Sequence, residues 1–412
     1  MEKAVVKRSV GGLTAIDLFC GAGGLSLGLV QAGFSVVAAM DGWSAAVETY
    51  RQNLGDHVSR VDITEDLEVP QAHVIVGGPP CQGFSSAGLR RSDDHRNTLV
   101  AVFAQIVARA RPPAFVFENV EGFLTGADGR FVFDLLEPVI EAGYRVHMRK
   151  VNAANYGVPQ HRKRVVAIGG LGWDPAFPEP THSAYGAPGA RLGGRHLPRT
   201  PSVAEALAGL ATAEPRRGAD DLRDHVFAPL DTADRERASL LGQGQRMRDL
   251  PEDLWHPSYR RRAYRRVMDG TPSERRGGAP AGVRRLCEDE PSKAITGGAI
   301  HEFLHPTEDR PLTIRECARL QTFPDNFKFV GGNREVAQLI GNAVPPHLAM
   351  CIGESLRQSL AKATPDLLPG ALLTFIPTLS TGRSPALETV ENEVRRRFLH
   401  ATAKIQTCFP WH

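Results

Sequence analysis

The sequence predicts an α/β protein with a mixed, mostly parallel sheet covered by helices on both faces, plus a smaller irregular domain. From residue 13 to about 170, short apolar runs alternate with amphipathic segments, which is typical of repeated strand–helix units. From 171 to 290 this alternation stops, and Gly, Pro, Arg and Asp become frequent. A chain of 412 residues also exceeds what one core usually holds, so we expect two lobes.

The individual elements follow from the spacing of the apolar residues. The first strand, 13–19, is an apolar run that ends in a glycine-rich turn, and a helix follows it to about residue 32. Short β-branched and aromatic runs predict strands, whereas apolar residues three and four positions apart predict helices. These rules predict strands at 34–40, 73–77, 114–118, 145–151 and 164–169, and helices through residue 50 and over 99–110, 131–142 and 387–400; regular pattern also returns at 313–320 and 336–362.

Composition excludes several classes of protein. The chain is 42% hydrophobic and 23% charged, and no apolar run approaches the length of a membrane span. The first ten residues lead into no apolar segment of signal-peptide type, so we expect a cytoplasmic protein. Six scattered cysteines without a CxxC pair indicate neither a zinc site nor a disulfide framework, and we expect no metal.

Cys81 occupies the most informative position in the chain. The apolar run 74–76 ends in Gly-Gly-Pro-Pro at 77–80, and the cysteine follows at once. Open α/β sheets bind ligands at the carboxyl ends of their strands, and two prolines stiffen the turn that carries the thiol. A lone cysteine is more often inert core filler, but this loop favours a nucleophile.

A glycine-rich turn follows the first strand, where residues 17–24 read Asp-Leu-Phe-Cys-Gly-Ala-Gly-Gly. A strand, a glycine turn and a helix N-terminus form a nucleotide-type pocket, although such turns alone are weak evidence. Asp41 and Asp62 end the next two predicted strands, and Trp43 is suited to stack on an adenine ring. Each acid alone is more commonly a cap or turn residue, but three acids at successive strand ends favour a nucleoside cofactor.

Several further motifs occur in the order that one enzyme family has them. They are the Pro-Pro-Cys loop at 79–81, Phe-Glu-Asn-Val at 117–120, Gln-His-Arg-Lys-Arg at 160–164, the segment 310–324 and Gly-Asn-Ala-Val-Pro-Pro at 341–346. Together with the glycine turn they resemble the DNA (cytosine-5) methyltransferases, over most of residues 13–170 and 292–360. The resemblance implies the Rossmann-like fold of S-adenosylmethionine-dependent methyltransferases, with S-adenosyl-L-methionine as the cofactor.

The resemblance also implies roles for individual residues. Cys81 would add to carbon 6 of cytosine, and Glu118, whose pKa should be raised at an apolar strand end, would hold ring nitrogen 3. Arg162 would reach the cytosine oxygen, and Arg164 would help to fix the loop and the carboxylate. One departure is that the family usually has Glu where Asp41 stands, and the shorter side chain reaches a ribose less directly. The implied cofactor-binding residues are Asp17, Phe19, Gly21, Gly23, Gly24, Asp41, Trp43, Asp62, Pro79, Asn342 and Val344.

Arginines cluster between residues 260 and 285, with Tyr264 among them and Tyr259 directly before them. Such a basic stripe fits contact with DNA phosphates, although a solvated arginine-rich face explains it equally well. The family keeps its target-recognition domain in this part of the chain, and a cytosine inside a duplex must be flipped out to reach the pocket. The expected contacts with double-stranded DNA come from Gln82, Ser85, Gln160, Arg260, Arg261, Arg265 and Arg284.

These assignments divide the chain into four parts. They are a catalytic and cofactor-binding domain at 1–170, a target-recognition domain at 171–290, a remaining recognition motif and return helix at 291–362, and an extension without an assigned role at 363–412. Since no regulatory domain is evident, we expect a bacterial, nucleoid-associated methylase of a restriction–modification system. It would act as a monomer, away from membranes, with its cognate endonuclease as a genetic partner only.

Three other functions fit parts of the sequence. The tRNA-methylating branch of the same family carries a Cys-Phe-Thr segment that this sequence lacks. A catalytically silent DNA-binding relative would have no need of Cys81, Glu118 and Arg162. A nicotinamide-dependent dehydrogenase would share the glycine turn but would leave Cys81 and the arginine segment unexplained.

Overall fold

Strands over the length of the chain assemble mainly into one large sheet. The computed structural model describes residues 12–80, 99–183, 197–218, 221, 223–260, 282–362, 370–375 and 385–398. Its strands are β1 Thr14–Leu18, β2 Ser35–Asp41, β3 Val58–Arg60, β4 Val74–Gly77, β5 Ala114–Val120, β6 Tyr144–Asn152, β7 Gln160–His161, β8 Lys163–Leu171, β9 Glu214–Pro215, β10 Val226–Phe227, β11 Arg284–Arg285, β12 Ser292–Lys293, β13 Phe303–Leu304 and β14 Gly370–Phe375.

Eight of these strands form the central sheet, in the order β14-β6-β8-β5-β4-β1-β2-β3. Strand β8 runs antiparallel to both of its neighbours, β5 and β6, whereas the other adjacent pairs are parallel. The sheet is therefore mixed and mostly parallel, which confirms the predicted fold class. All strands predicted between 13 and 169 are present.

The helices cover both faces of this sheet. They are α1 Gly24–Gln31, α2 Ser44–Leu54, α3 Leu99–Ala110, α4 Arg130–Glu141, α5 Val203–Leu207, α6 Thr232–Leu240, α7 Ala299–Glu302, α8 Ile314–Leu320, α9 Asn333–Asn342, α10 Pro346–Lys362 and α11 Pro385–Phe398. Among the described helices, none combines the length and the apolarity that crossing a bilayer requires.

The hydrophobic core consists mainly of two layers, one on each face of the sheet. Successive side chains of a strand point to opposite faces, so Phe115 and Phe117 pack with α3, α4 and α11, whereas Val116 packs with α1 and α10. Helices α1 and α10 approach closely at Gly28, where no larger side chain fits. A Cβ atom there would lie 2.4 Å from the Pro346 carbonyl oxygen. This contact brings the return helix onto the strand–turn–helix unit at the start of the chain.

The C-terminal residues complete the sheet and its core. Strand β14 adds to the edge of the sheet by parallel pairing with β6. Helix α11 buries Val390 and Val394 in the same layer as α3 and α4. A Cβ atom at Gly129, which has a φ of +85°, would lie 2.3 Å from a Val390 methyl group, so the helix fits closely against the loop before α4. The sequence predicted α11 but not β14.

Residues 197–304 form the irregular part of the fold. Their strands are two residues long and pair in twos, and a small cluster of buried residues, including Leu241, Met247 and Val283, supports them. The segment immediately after β8 belongs with the first lobe, since Trp173 and Phe177 lie in the core layer of α1 and α10. Irregular structure at the second lobe agrees with the loss of periodicity in the sequence.

Candidate active site

Several loops meet at one edge of the sheet. Because β1, β2, β4 and β5 are parallel, their carboxyl ends lie along the same edge. Strand β8 runs in the opposite direction, so its first residues come to this edge as well, and Arg164 lies opposite Val120 of β5. The predicted glycine turn, the loop that leads to Cys81, Glu118 and the arginine segment therefore share one edge.

Glu118 and Arg164 form the charged centre of this edge. Arg164 Nε lies 2.8 Å from Glu118 Oε1, and both side chains are largely buried. Burial raises the pKa of Glu118, while the positive charges of Arg164 and Arg162 act against that rise. The carboxyl group is thus poised to hold a proton more readily than an exposed glutamate, beside a fixed guanidinium.

The chain that leads to Cys81 passes directly beside Glu118. A Cβ atom at Gly78 would lie 3.2 Å from Glu118 Oε2, so glycine permits this close approach. Asn119, a buried residue, donates from Nδ2 to the Pro79 carbonyl oxygen over 3.4 Å. Cys81 lies outside the described residues, as do two expected DNA contacts, Gln82 and Ser85.

Arg162 lies where the first lobe meets the segments that return from the second. It is fully buried, and its guanidinium donates to the carbonyl oxygens of Ile295 over 2.8 Å, Gly341 over 2.7 Å and Ala343 over 2.9 Å. These bonds fix the end of the first lobe to the segments that return from the second. Of the two arginines of the motif, Arg164 is the one whose guanidinium meets Glu118.

Gln160 is likewise buried at this junction. Its amide donates to the Leu320 carbonyl and to Gln321 Oε1, and accepts from the Ile295 backbone N–H over 3.0 Å. Gln160, Gln321 and Arg162 are all fully buried. These three side chains form a polar seam. The polar seam satisfies the hydrogen bonds of backbone groups where the lobes join.

The glycine turn after β1 is held open by Asp41. The carboxylate accepts hydrogen bonds from the backbone N–H groups of Gly21 and Trp43, each over 2.8 Å. Phe19 has a φ of +59°, an uncommon conformation for a residue with a side chain. A Cβ atom at Gly21 would have no heavy atom within 4 Å, so open space lies beside the turn. An open, backbone-lined turn next to an acid fits a nucleoside cofactor.

The remaining cofactor candidates near this turn differ in how exposed they are and in what they contact. Trp43 is half-buried before α2, and Asp62 is exposed, near Gly42. Gly24 lies against Val344, since a Cβ atom there would be 2.2 Å from the Val344 carbonyl oxygen. Gly23 packs on α2, and Asn342 is exposed and accepts a hydrogen bond from Gln338 over 2.7 Å.

Asp17 lies below the turn, inside the protein. It is fully buried, and Oδ2 accepts a hydrogen bond from the Ser26 hydroxyl over 2.7 Å. Tyr50 donates to the Ser26 hydroxyl over 2.9 Å and lies 3.1 Å from His57 Nε2. Burial raises the pKa of Asp17 to about 7. This position supports the turn from beneath.

The predicted DNA-binding arginines are partly engaged within the protein. Arg260 is exposed and donates to the Glu252 carbonyl over 2.6 Å. Arg284 forms a 2.9 Å ion pair with Glu302. Arg261 and Arg265 lie outside the described residues.

Sequence reasoning missed the residues that support the site from behind. Asn119, Gln321, Ser26 and Tyr50 are buried polar side chains, and each bonds a segment distant in sequence. Asn119 and Gln321 lie within the family motifs at 117–120 and 310–324, whereas the only signal of Ser26 and Tyr50 was a polar group within a helix, which many exposed residues share. Contacts between distant segments are what give these side chains their roles.

Comparison with known proteins agrees with this arrangement. Residues 13–358 match the family model of the C-5 cytosine-specific DNA methylases. The chain is similar to the type II methyltransferase M1.HphI of Haemophilus parahaemolyticus, at 35% identity over 84% of this chain and 86% of that protein. It is also similar to the type II methyltransferase M.AgeI of Thalassovita gelatinovora, at 32% identity over 85% of this chain and 100% of that protein.

Solved structures show the same fold. A prophage-encoded protein of E. coli, described as a DNA modification methyltransferase, superposes with a TM-score of 0.63 at 24% identity, over 85% of this chain and 99% of that one. The Dnmt2 methyltransferase of S. pombe superposes with a TM-score of 0.55 at 15% identity, over the same shares of the two chains.

Proposed function

Since the chain belongs to the C-5 cytosine-specific DNA methylases, we propose that it methylates carbon 5 of a cytosine in a specific double-stranded DNA sequence. The observation that carries this proposal is the Glu118–Arg164 pair, set against the glycine and prolines that lead to Cys81. This reaction needs a thiol, an acid with a raised pKa and a guanidinium. The acid and the guanidinium lie at one sheet edge, beside the residues that lead to Cys81. Relatives at 32–35% identity are type II methyltransferases, which supports a protective role in a restriction–modification system.

The chemistry follows from the weak nucleophilicity of carbon 5. Addition of the Cys81 thiolate to carbon 6 forms a carbon–sulfur bond and moves electron density to carbon 5. Glu118 holds a proton at ring nitrogen 3, so that negative charge does not build up on the ring. After methylation a base removes the carbon 5 proton, and elimination breaks the carbon–sulfur bond and releases the thiolate.

Arg164 is assigned to the cytosine oxygen in place of Arg162. Its ion pair with Glu118 fixes both side chains, so that one ligand can meet the carboxyl group and the guanidinium together. Arg162 acts through the polar seam and positions the strand that carries Arg164.

The open turn after β1 holds S-adenosylmethionine, which supplies the methyl group as an electrophile. Phe19, Gly21 and Trp43 would line the adenosine side of the pocket. Asp41, which holds the turn, would face the ribose, and Asp62 and Asn342 would be the exposed polar groups nearby. Pro79 and Val344 would complete the lining.

The second lobe selects the DNA sequence, and the target cytosine is flipped into the pocket at a cost of about a few kcal/mol. We place the start of this lobe after Phe177, because Trp173 and Phe177 lie in the core layer of α1 and α10. We expect the enzyme to work on chromosomal DNA in the bacterial cytoplasm, with a cognate endonuclease encoded nearby.

Bisulfite sequencing tests this function directly. We expect that, after expression in a bacterial strain without cytosine methylation, cytosines in one short sequence context resist conversion, and that the Cys81→Ser variant gives full conversion. Parallel sequencing of the tRNA distinguishes the RNA-methylating alternative. The proposal would be contradicted if bisulfite converted all the DNA cytosines although the wild-type protein is expressed and binds S-adenosylmethionine. Protection confined to tRNA would replace the proposal with the RNA-methylating alternative.

A further inference from the structure

Among the described residues, two lysines place positive charge beside the active site without a carboxylate partner. We propose that Lys163 and Lys293, with His161 between them, bind backbone phosphates of the DNA next to the target nucleotide. This inference rests on the proposed function and adds a phosphate site to it. Lys163 and Lys293 are called the lysine pair below.

Strand pairing brings the three side chains together. Strands β7 and β12 are parallel, and Lys293 lies opposite His161. His161 Nδ1 lies 3.3 Å from Asn152 Nδ2, and Asn152 lies opposite Lys163 in the β6–β8 ladder. The group lies where the two lobes join, and Lys163 directly precedes Arg164 of the active site.

Charge compensation distinguishes the lysine pair from its neighbours. Lys150 is paired with Glu121, Arg164 with Glu118 and Arg284 with Glu302. Within the described ranges, neither lysine of the pair has a carboxylate partner, and Lys293 is exposed. Two ammonium groups close together without a counter-charge repel each other, unless an anion from outside the chain binds between them.

His161 supports an anion site of this kind. Burial, with the charges of Lys293 and Lys163, lowers the pKa of His161 to about 4. The ring is therefore neutral near pH 7 and can donate one N–H to a phosphate oxygen without adding charge. The side chains that act electrostatically on His161 are both lysines, which indicates a positive potential at this point.

A DNA phosphate is the anion that fits this place. Phosphate contacts fix the register of a protein on the duplex without reading sequence, and they are made largely by Lys and Arg. The residues on either side of the pair serve the active site and the lobe junction, so a strand held here would be held beside the flipped base. Because such contacts release counterions, the site makes a quantitative prediction about salt.

The test measures binding of a fluorescent, mixed-sequence 30-base-pair duplex at several salt concentrations. We expect the Lys163→Gln/Lys293→Gln variant to bind roughly 10- to 100-fold more weakly at low salt, and its slope of log affinity against log salt to be smaller by about 2. Its affinity for S-adenosylmethionine should be unchanged. Replacement of both lysines by arginine should restore the slope, because arginine also binds phosphate.

The matched control is Lys328→Gln/Lys362→Gln, which removes two exposed lysines far along the chain from this group. A slope equal to that of the wild type, or a loss no greater than that of the control, would overturn the site. If the double variant unfolds, Lys293→Gln alone should lower the slope by about 1. A failure of the proposed function would show itself differently, as wild-type protein that binds the duplex but leaves its cytosines unmethylated.

Discussion

The central sheet and the irregular second lobe hold their side chains in position by different means. In the sheet, Glu118 has a position fixed by hydrogen-bonded strands on both sides and by two apolar core layers. In residues 197–304, strands of two residues and a small cluster position the side chains, and ion pairs such as Arg284–Glu302 and Arg223–Asp221 hold much of the surface. We propose that chemistry which tolerates little displacement lies on the rigid part, and that recognition lies on the part that can change without disturbing the sheet.

The largest effect should come from the loss of the Cys81 thiol. Cys81→Ser should lower the rate of methyl transfer by at least about a thousandfold, because a serine hydroxyl is not ionised near neutral pH and is a far weaker nucleophile. Binding of DNA and of S-adenosylmethionine, measured by anisotropy and calorimetry, should stay near wild type. Substantial turnover in this variant would mean that the chemistry does not depend on covalent addition.

Exchange of the second lobe tests whether that region selects the DNA sequence. Replacing residues 171–290 with the corresponding segment of M1.HphI should change the methylated sequence to that of the donor while the reaction stays the same. The β11–β13 pair crosses the 290 boundary, so residues 303–304 should be exchanged with it. Bisulfite sequencing gives the outcome. An active chimera that still modifies the original sequence would show that selection lies outside this segment.

The polar seam joins the two regions, and its loss should mainly affect stability. Arg162→Met would leave three buried carbonyl oxygens without their donor, which we expect to lower the free energy of unfolding by roughly 3–5 kcal/mol. The control, Arg164→Met, should cost less stability but strongly reduce turnover. Urea unfolding measured beside methylation assays separates these effects. A stable Arg162→Met protein with impaired turnover would instead indicate that Arg162 contacts the substrate.

The sequence was informative where a role depends on local pattern. Strands at 73–77 and 114–118 and the helix at 99–110 were predicted nearly to the residue, because apolar runs and helical spacing are local features. The separation of Arg162 from Arg164 was not predictable, since both lie in one basic motif and only contacts with residues 295–343 distinguish them. Strand β14 was missed for the same reason, because its edge position depends on β6, more than 200 residues earlier in the chain.

A smaller effect is expected at the buried support of the glycine turn. The folded-state pKa of Asp17, about 7, lies above the ordinary value of an unfolded aspartate, so the proton bound at low pH stabilises the fold. This stabilisation is lost as pH rises from about 4 to about 7. Asp17→Asn mimics the protonated acid and should unfold with nearly wild-type free energy at pH 5, but be more stable by roughly 2–4 kcal/mol at pH 8. Equal stability of the two proteins at both pH values would contradict a buried, protonated Asp17.

The smallest predicted effect concerns the cofactor at the open turn. Trp43→Ala should weaken binding of S-adenosylmethionine by roughly 1–3 kcal/mol, the scale of a lost aromatic stack. Trp43 also packs against the cluster of α8 and α9, so part of the loss could come from a shifted turn. Trp43→Phe is the control, because it keeps an aromatic face and should recover most of the affinity. If calorimetry gives the alanine variant wild-type affinity, the adenine lies elsewhere along the edge of the sheet, and Phe19 becomes the residue to change next.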